Sequence, residues 1–235
     1  MNPALRAVIF DLDDTLFDDL GSTRAGLAGL GRLHPGFAAL HPDELLSRHA
    51  AAIAQREAQV YAGTLTPQQA RIQRFESLLA DLGISELDGE RAAQHYRSAY
   101  RAAYRLNPGV LDLVRAVRGR GLRVGVLTNY AREVQQEKLE RIGLTPLIDA
   151  LLTYDETPPK PDPRSYRAVC AALDVAPQQA VMVGDHWQND VAGAVAAGLR
   201  AVWYNPGSLP APDGTPHTSI QGFVPLGEAL AALLG

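Results

Sequence analysis

The chain has a single cysteine, Cys170, which excludes an internal disulfide framework. That residue lies in Tyr166-Arg167-Ala168-Val169-Cys170-Ala171-Ala172-Leu173, a helical pattern, so it reads as a buried structural thiol rather than a nucleophile. Long hydrophobic runs are also missing: nothing approaches the ~18 consecutive apolar residues of a membrane-spanning helix. The N-terminal stretch lacks a basic region followed by a long apolar one, so no membrane partner is expected and a cytoplasmic location is. Basic charge is in short supply. The 22 Lys and Arg against 26 Asp and Glu leave a net charge of −4, and the pI is about 5.9. With no overall basic field, a dedicated nucleic-acid partner is not expected, whereas small anionic substrates remain open. No internal repeat or low-complexity block occurs. What is present is ordinary globular material: 235 residues, 46% hydrophobic and 20% charged, enough for a large core or for one core plus a smaller domain.

The most telling stretch is Ala7-Val8-Ile9-Phe10-Asp11-Leu12-Asp13-Asp14-Thr15, a short apolar run that stops abruptly in three carboxylates and a hydroxyl. Residues 7–10 predict a strand buried on both faces, as in the centre of a parallel sheet. The acids sit at its C-terminal end, where open α/β sheets bind ligands. In an extended chain Asp11 and Asp13 point the same way. Their mutual repulsion is relieved if a divalent cation sits between them, and Mg²⁺ suits oxygen ligands that also hold a phosphate. Taken alone, the stretch reads equally well as a strand entering an acidic turn.

From Leu16 to about Leu106 the patterns are helical, with helices expected at about 18–32, 42–61, 66–82 and 87–104 and breaks at His34-Pro35-Gly36, Ala62-Gly63 and Asp81-Leu82-Gly83. After Asn107-Pro108-Gly109, helices alternate with short apolar strands, the signature of βαβ units. Helices are predicted at about 110–119, 132–142, 163–173, 189–197 and 225–234, and strands at 123–127, 148–152, 180–183 and 200–204. The fold class is therefore α/β, with a Rossmann-like parallel sheet formed by 1–16 and 107–235 and an inserted all-helical cap formed by 17–106. An insertion directly after the acidic cluster is placed to act as a lid.

Other strand ends deliver polar groups of the same kind. Residues 124–127 run into Thr128-Asn129 before a helix, a place where a hydroxyl and backbone N–H groups can receive an anion or simply cap the helix. Residues 180–183 run into Gly184-Asp185, and Asp190 follows at the start of the next helix, where capping is an equal reading. Between them Thr157-Pro158-Pro159-Lys160-Pro161-Asp162-Pro163 is a stiff loop, in which Lys160 by itself reads as a solvated surface charge.

The joint pattern is more specific than its parts. Asp11-x-Asp13-x-Thr15, Thr128-Asn129, Lys160 and Gly184-Asp185 with Asp190, in this order, resemble the four motifs of the haloacid dehalogenase superfamily, in the subfamily with a helical cap inserted after the first motif. The resemblance spans about residues 4–206. One departure is Pro158-Pro159, where relatives often carry glycine before the lysine; no reacting group is lost by it.

The resemblance implies Asp11 as nucleophile, forming an aspartyl-phosphate, and Asp13 as the acid that protonates the leaving oxygen and later the base that activates water. It implies a Mg²⁺ cofactor held by Asp11, the Asp13 backbone carbonyl and Asp185, with Asp190 in support through water or by orienting Lys160. Thr128, Asn129 and Lys160 bind the substrate, and Thr15 orients the turn after Asp13. Family dehalogenases lack an acid two residues after the nucleophile, so Asp13 points to phosphotransfer. The expected activity is Mg²⁺-dependent hydrolysis of a small phosphorylated metabolite. A phosphosugar mutase, or a phospho-ligand-binding domain with little catalysis, are the alternatives. Candidate selectivity residues in the cap are Phe17, Asp18, Asp19, Arg56, Tyr61, Arg97 and Tyr100. The Arg97/Arg101/Arg105 stripe reads as a solvated face, and Tyr96, Tyr100 and Tyr104 as packed core.

Overall fold

In a computed structural model of the protein, residues 4–235 are described. The chain divides into two compact units, one comprising the chain up to Asp18 with Arg105–Gly235, the other Asp19–Tyr104.

The first unit opens with β1 (Ala7–Phe10), every residue of which is buried. The second unit is then built from α1 (Asp19–Leu33), α2 (Pro35–Ala38), α3 (Pro42–Tyr61), α4 (Pro67–Asp81) and α5 (Gly89–Ala102). Its helix starts are fixed locally: Thr66 and Gln69 form a capping box on α4, and the Asp88 side chain accepts from Arg91 N at 2.7 Å on α5. α2 falls where the sequence suggests a break; proline at its first position and His34 Nδ1, which accepts from Gly36 N at 3.0 Å, support that single turn. Leu27, Leu30, Phe37, Phe75, Leu78 and Tyr96 form the core of this unit. α1 and α5 meet closely because Gly26 has no side chain: a Cβ there would lie 2.5 Å from the Tyr96 ring.

The first unit resumes with α6 (Val110–Gly119), β2 (Arg123–Leu127), α7 (Arg132–Arg141), β3 (Ala150–Leu152), α8 (Pro163–Ala172), β4 (Ala180–Gly184), α9 (Gly193–Ala196), β5 (Arg200–Tyr204), β6 (Thr218–Ile220) and α10 (Leu226–Leu234). The six strands are parallel in the order β3-β2-β1-β4-β5-β6. β1 is central, and the chain winds outward from it first to β2 and β3, then to β4, β5 and β6, so the switch point lies at β1. Register makes the site: Phe10 pairs with Val126 on one side and Val183 on the other. Asp11, Thr128 and Asp185 consequently emerge at the same edge of the sheet.

Three local departures from the sequence reading have physical causes. The strand near 148–152 is shortened to β3 because Thr145–Leu147 forms a 3₁₀ turn, and the Asp149 carboxylate accepts from Val124 N at 2.7 Å. The helix expected at 189–197 begins earlier, as a π-helical turn over Trp187–Ala192 that passes into α9. β6 lies outside the expected strands; it is a short, largely exposed edge strand with no apolar run to announce it. Cys170 is buried among Val169, Leu173 and Tyr166, and burial pushes its thiol up to about 11, in keeping with a structural role. Among the described residues no helix is long and apolar enough to cross a membrane.

Candidate active site

Asp11 leaves β1 with its N–H bonded to Val183 O at 2.9 Å, so β4 fixes its direction. Beyond it the chain turns at once: Asp14 adopts φ 58°, a left-handed conformation that Asp tolerates, and the N–H groups of Thr15, Leu16 and Phe17 converge on Leu12 O. Thr15 is fully buried by this turn, and its hydroxyl donates to Asp185 Oδ1 at 3.3 Å. The hydroxyl thus contacts the acid at β4's end.

Lys160 is where the residue read alone and the joint motif pattern differ most. Taken alone it looks like a surface charge, yet it is 5% exposed. Its Nζ donates to Asp11 Oδ1 and to Asp190 Oδ1, each at 2.7 Å. The stiff loop is held at the same point from the other side. Lys160 N donates to Asn129 Oδ1 at 2.7 Å, and Asn129 Nδ2 donates to Lys160 O at 2.8 Å. Asn129, expected to bind substrate, is thus seen bracing the lysine's backbone. Asp190 is fully buried at the π-helical turn and accepts from His186 N at 3.0 Å. Gly184 permits its approach, since a Cβ there would lie 2.3 Å from the Asp190 carboxyl carbon.

Oxygens of Asp11, Asp185 and Asp190 all lie within 4.8 Å of one another. The Asp13 carboxylate is not part of that group. It turns to α7, where Oδ2 accepts from Gln135 Nε2 at 2.8 Å and Oδ1 pairs with Lys138 Nζ. Thr128 Oγ1 accepts from the same Gln135 Nε2 at 2.7 Å. Gln135 and Lys138 escape a sequence reading because α7, Arg-Glu-Val-Gln-Gln-Glu-Lys-Leu-Glu-Arg, looks solvated. The signal was nonetheless present: Gln135, Lys138 and Leu139 share one helical face, and a helix this poor in apolar residues buries polar ones on its inward side.

The electrostatics fit a divalent cation. Burial raises the Asp11 carboxyl well above its ordinary range; Lys160 opposes this, while Asp190, Asp185 and Asp13 add to it. Burial and then Asp190 push Asp185 up to about 6. Burial opposes the charge on Lys160, but the two carboxylates beside it outweigh that and raise the amine. One lysine among three crowded acids leaves negative charge unrelieved, and an all-carboxylate donor set of this kind suits a hard cation such as Mg²⁺.

Several candidates in the second unit are engaged within that unit or at its ends. Arg56 donates to Ala52 O, Gln73 O and Ser77 Oγ, tying α3 to α4. Tyr61 donates to Glu57, Tyr100 to Asp19, and Arg105 pairs with Asp18. Phe17 is fully buried. Tyr96 stacks on Tyr100 at 5.5 Å and Tyr100 meets Tyr104 edge-on at 5.2 Å, so these rings pack together.

Residues 5–198 match the haloacid dehalogenase-like hydrolase family. The chain is 34% identical to a phosphoserine phosphatase of Thermus thermophilus over 96% of this chain and 100% of that protein. It is 31% identical to a ribulose-1,5-bisphosphate 5-phosphatase of Halopiger xanaduensis over 85% of this chain and 84% of that one. Among solved structures, the magnesium-bound HAD-hydrolase YfnB of Bacillus subtilis superposes with a TM-score of 0.76 at 23% identity, covering 97% of this chain and 99% of that one, a likeness of fold. The motifs at the sheet edge, the parallel topology and these matches agree: this chain belongs to the haloacid dehalogenase-like hydrolase family.

Proposed function

We propose that the protein is a Mg²⁺-dependent phosphatase that hydrolyses a small phosphorylated metabolite through a phosphoryl group carried on Asp11. The observation that carries this reading is the buried junction of Asp11, Lys160 and Asp190, with Asp185 beside it. A carboxylate kept at a cation-binding edge, with an ammonium in contact with it, is equipped to attack phosphorus while its own repulsion of the substrate is offset.

In this reading a carboxylate oxygen of Asp11 attacks phosphorus in line with the ester oxygen. Asp13 gives a proton to that oxygen as the alcohol leaves, then takes one from the water that cleaves the aspartyl-phosphate. Thr128 and Lys160 hold phosphoryl oxygens, and Asn129 fixes the lysine's loop. Asp11, the Asp13 backbone carbonyl and Asp185 would hold Mg²⁺, with Asp190 orienting Lys160. When bound, Mg²⁺ supplies positive charge to the phosphoryl oxygens. Selection of the ester is assigned to the helical unit inserted in the chain directly after the acidic turn, and the phosphatases to which the chain is similar support a small metabolite.

The test is phosphate release from a panel of small phosphate monoesters, with Mg²⁺ and with EDTA. Release that requires the metal and favours a small ester over a folded phosphoprotein is expected; metal-independent release, or none, would contradict the proposal.

A further inference from the structure

α7 contributes two buried polar side chains that the reaction scheme above leaves without a role. Gln135 is fully buried and Lys138 is 3% exposed. Gln135 Nε2 donates to Asp13 Oδ2 at 2.8 Å and to Thr128 Oγ1 at 2.7 Å, so one amide nitrogen joins a residue of β1's turn to one at the end of β2. Its Oε1, in contrast, is buried with no hydrogen-bond partner among the described residues. A buried acceptor left unsatisfied costs about 1–3 kcal/mol. Rotating the amide would not relieve this in the resting state, because it would set Oε1 against Asp13 while that carboxylate is ionised and can only accept. A residue present merely to fill space would be apolar; here one polar atom is sacrificed to place the other.

The direction of the Thr128 bond has a consequence. Because its Oγ1 accepts from Gln135, its own proton points elsewhere and is available to a phosphoryl oxygen. Lys138 completes the arrangement from the other side of Asp13. Its ammonium pairs with Oδ1 and rests 4.9 Å from the Phe17 ring centroid and 5.8 Å from that of Tyr130. Both oxygens of Asp13 are thereby held by one helix, through residues one turn apart.

We propose that Gln135 and Lys138 are positioning residues that hold the Asp13 carboxylate and the Thr128 hydroxyl in register for phosphoryl transfer. This rests on the phosphatase reading, and the experiment separates the two. kcat/KM reports events up to departure of the alcohol, and p-nitrophenolate leaves with little protonation whereas an alkoxide needs it. Loss of Asp13 positioning therefore falls unevenly on the two esters. In Gln135→Met and Lys138→Met, kcat/KM is expected to fall roughly 10–100-fold more on the best alkyl phosphate of the panel than on p-nitrophenyl phosphate. Lys138→Arg, which keeps the charge, should restore most of the difference. Inhibition by inorganic phosphate should weaken roughly fivefold in Gln135→Met, the loss of about one hydrogen bond, and less in Lys138→Met, since it is Gln135 that bonds Thr128.

Equal losses on both esters, with wild-type protein active on both, would overturn the positioning role and leave the phosphatase reading intact. Wild-type protein inactive on every ester overturns the reading and the inference together. Should circular dichroism show Gln135→Met unfolded, Lys138→Met and Lys138→Arg carry the same comparison.

Discussion

The two units bury polar groups for different ends. In the sheet unit, Asp11, Thr15, Thr128, Gln135, Lys138, Lys160 and Asp190 are all buried, and each is hydrogen-bonded to another of them or to Asp13 or Asp185. In the helical unit the buried polar residues are Ser22, Thr23 and His49, and the interior is leucine and aromatic packing. Charge in an interior is costly, and its concentration along one sheet edge marks where chemistry rather than cohesion shaped the sequence. The helical unit follows ordinary packing rules, which suits a part whose surface can vary while its frame is kept.

The largest way to break this contrast is Lys160→Met. It removes the ammonium shared by Asp11 and Asp190, and phosphate release is expected to fall about 10²–10³-fold, measured on the best ester of the panel. The matching change in the other unit is Phe75→Ala. Phe75 is fully buried against Tyr96 and His49, and its truncation should lower stability by about 3–5 kcal/mol in denaturant unfolding. Hydrogen exchange should then quicken first in α3–α5, while β1 and β4 amides stay protected. If both substitutions changed stability and turnover in the same proportion, the division of labour described here would not hold.

A smaller effect sharpens the comparison at one atom. Gly184→Ala puts a methyl where the Asp190 carboxyl sits, so the acid must shift away from Lys160; a loss of about 1–3 kcal/mol is expected, with turnover reduced more than melting temperature suggests. A last difference between the units concerns pH. Burial, then the nearby Arg74, lowers His49 to about 3, whereas in the unfolded chain it titrates near its ordinary value of about 6.5. The folded state therefore excludes a proton that the unfolded state takes up. Stability is fully present above about pH 6.5 and is lost as pH falls toward 3, by up to roughly 1.4 kcal/mol per pH unit. His49→Leu, at a position whose Nε2 has no hydrogen-bond partner among the described residues, should flatten the decline of Tm between about pH 6 and pH 4. An unchanged slope would place the acid sensitivity elsewhere.

Much of the site was legible because its residues lie at chain positions with meaning of their own. Asp11, Thr128 and Asp185 each follow an apolar strand directly, and parallel pairing in register carries them to one edge. Lys160 was legible as a candidate only in company, since a lysine in a proline-rich loop looks solvated until the acids it meets are placed beside it. Gln135 and Lys138 were harder to read: their partners, Asp13 and Thr128, are respectively 122 and 7 residues from Gln135, and in a polar helix only the face shared with Leu139 hints at which side is buried. Of the fold, helix and strand cores followed from periodicity. β6 and α2 did not, because one is polar and exposed and the other is a single turn fixed by a histidine side chain.

The central claim is that Asp11 carries the phosphoryl group, and rapid quenching during turnover followed by peptide mass spectrometry tests it most directly. The account predicts one added phosphoryl group on the peptide containing Asp11, formed with Mg²⁺ and absent from Asp11→Asn. A protein that releases phosphate with no such adduct under any quench time, and an Asp11→Asn variant that retains turnover, would contradict it.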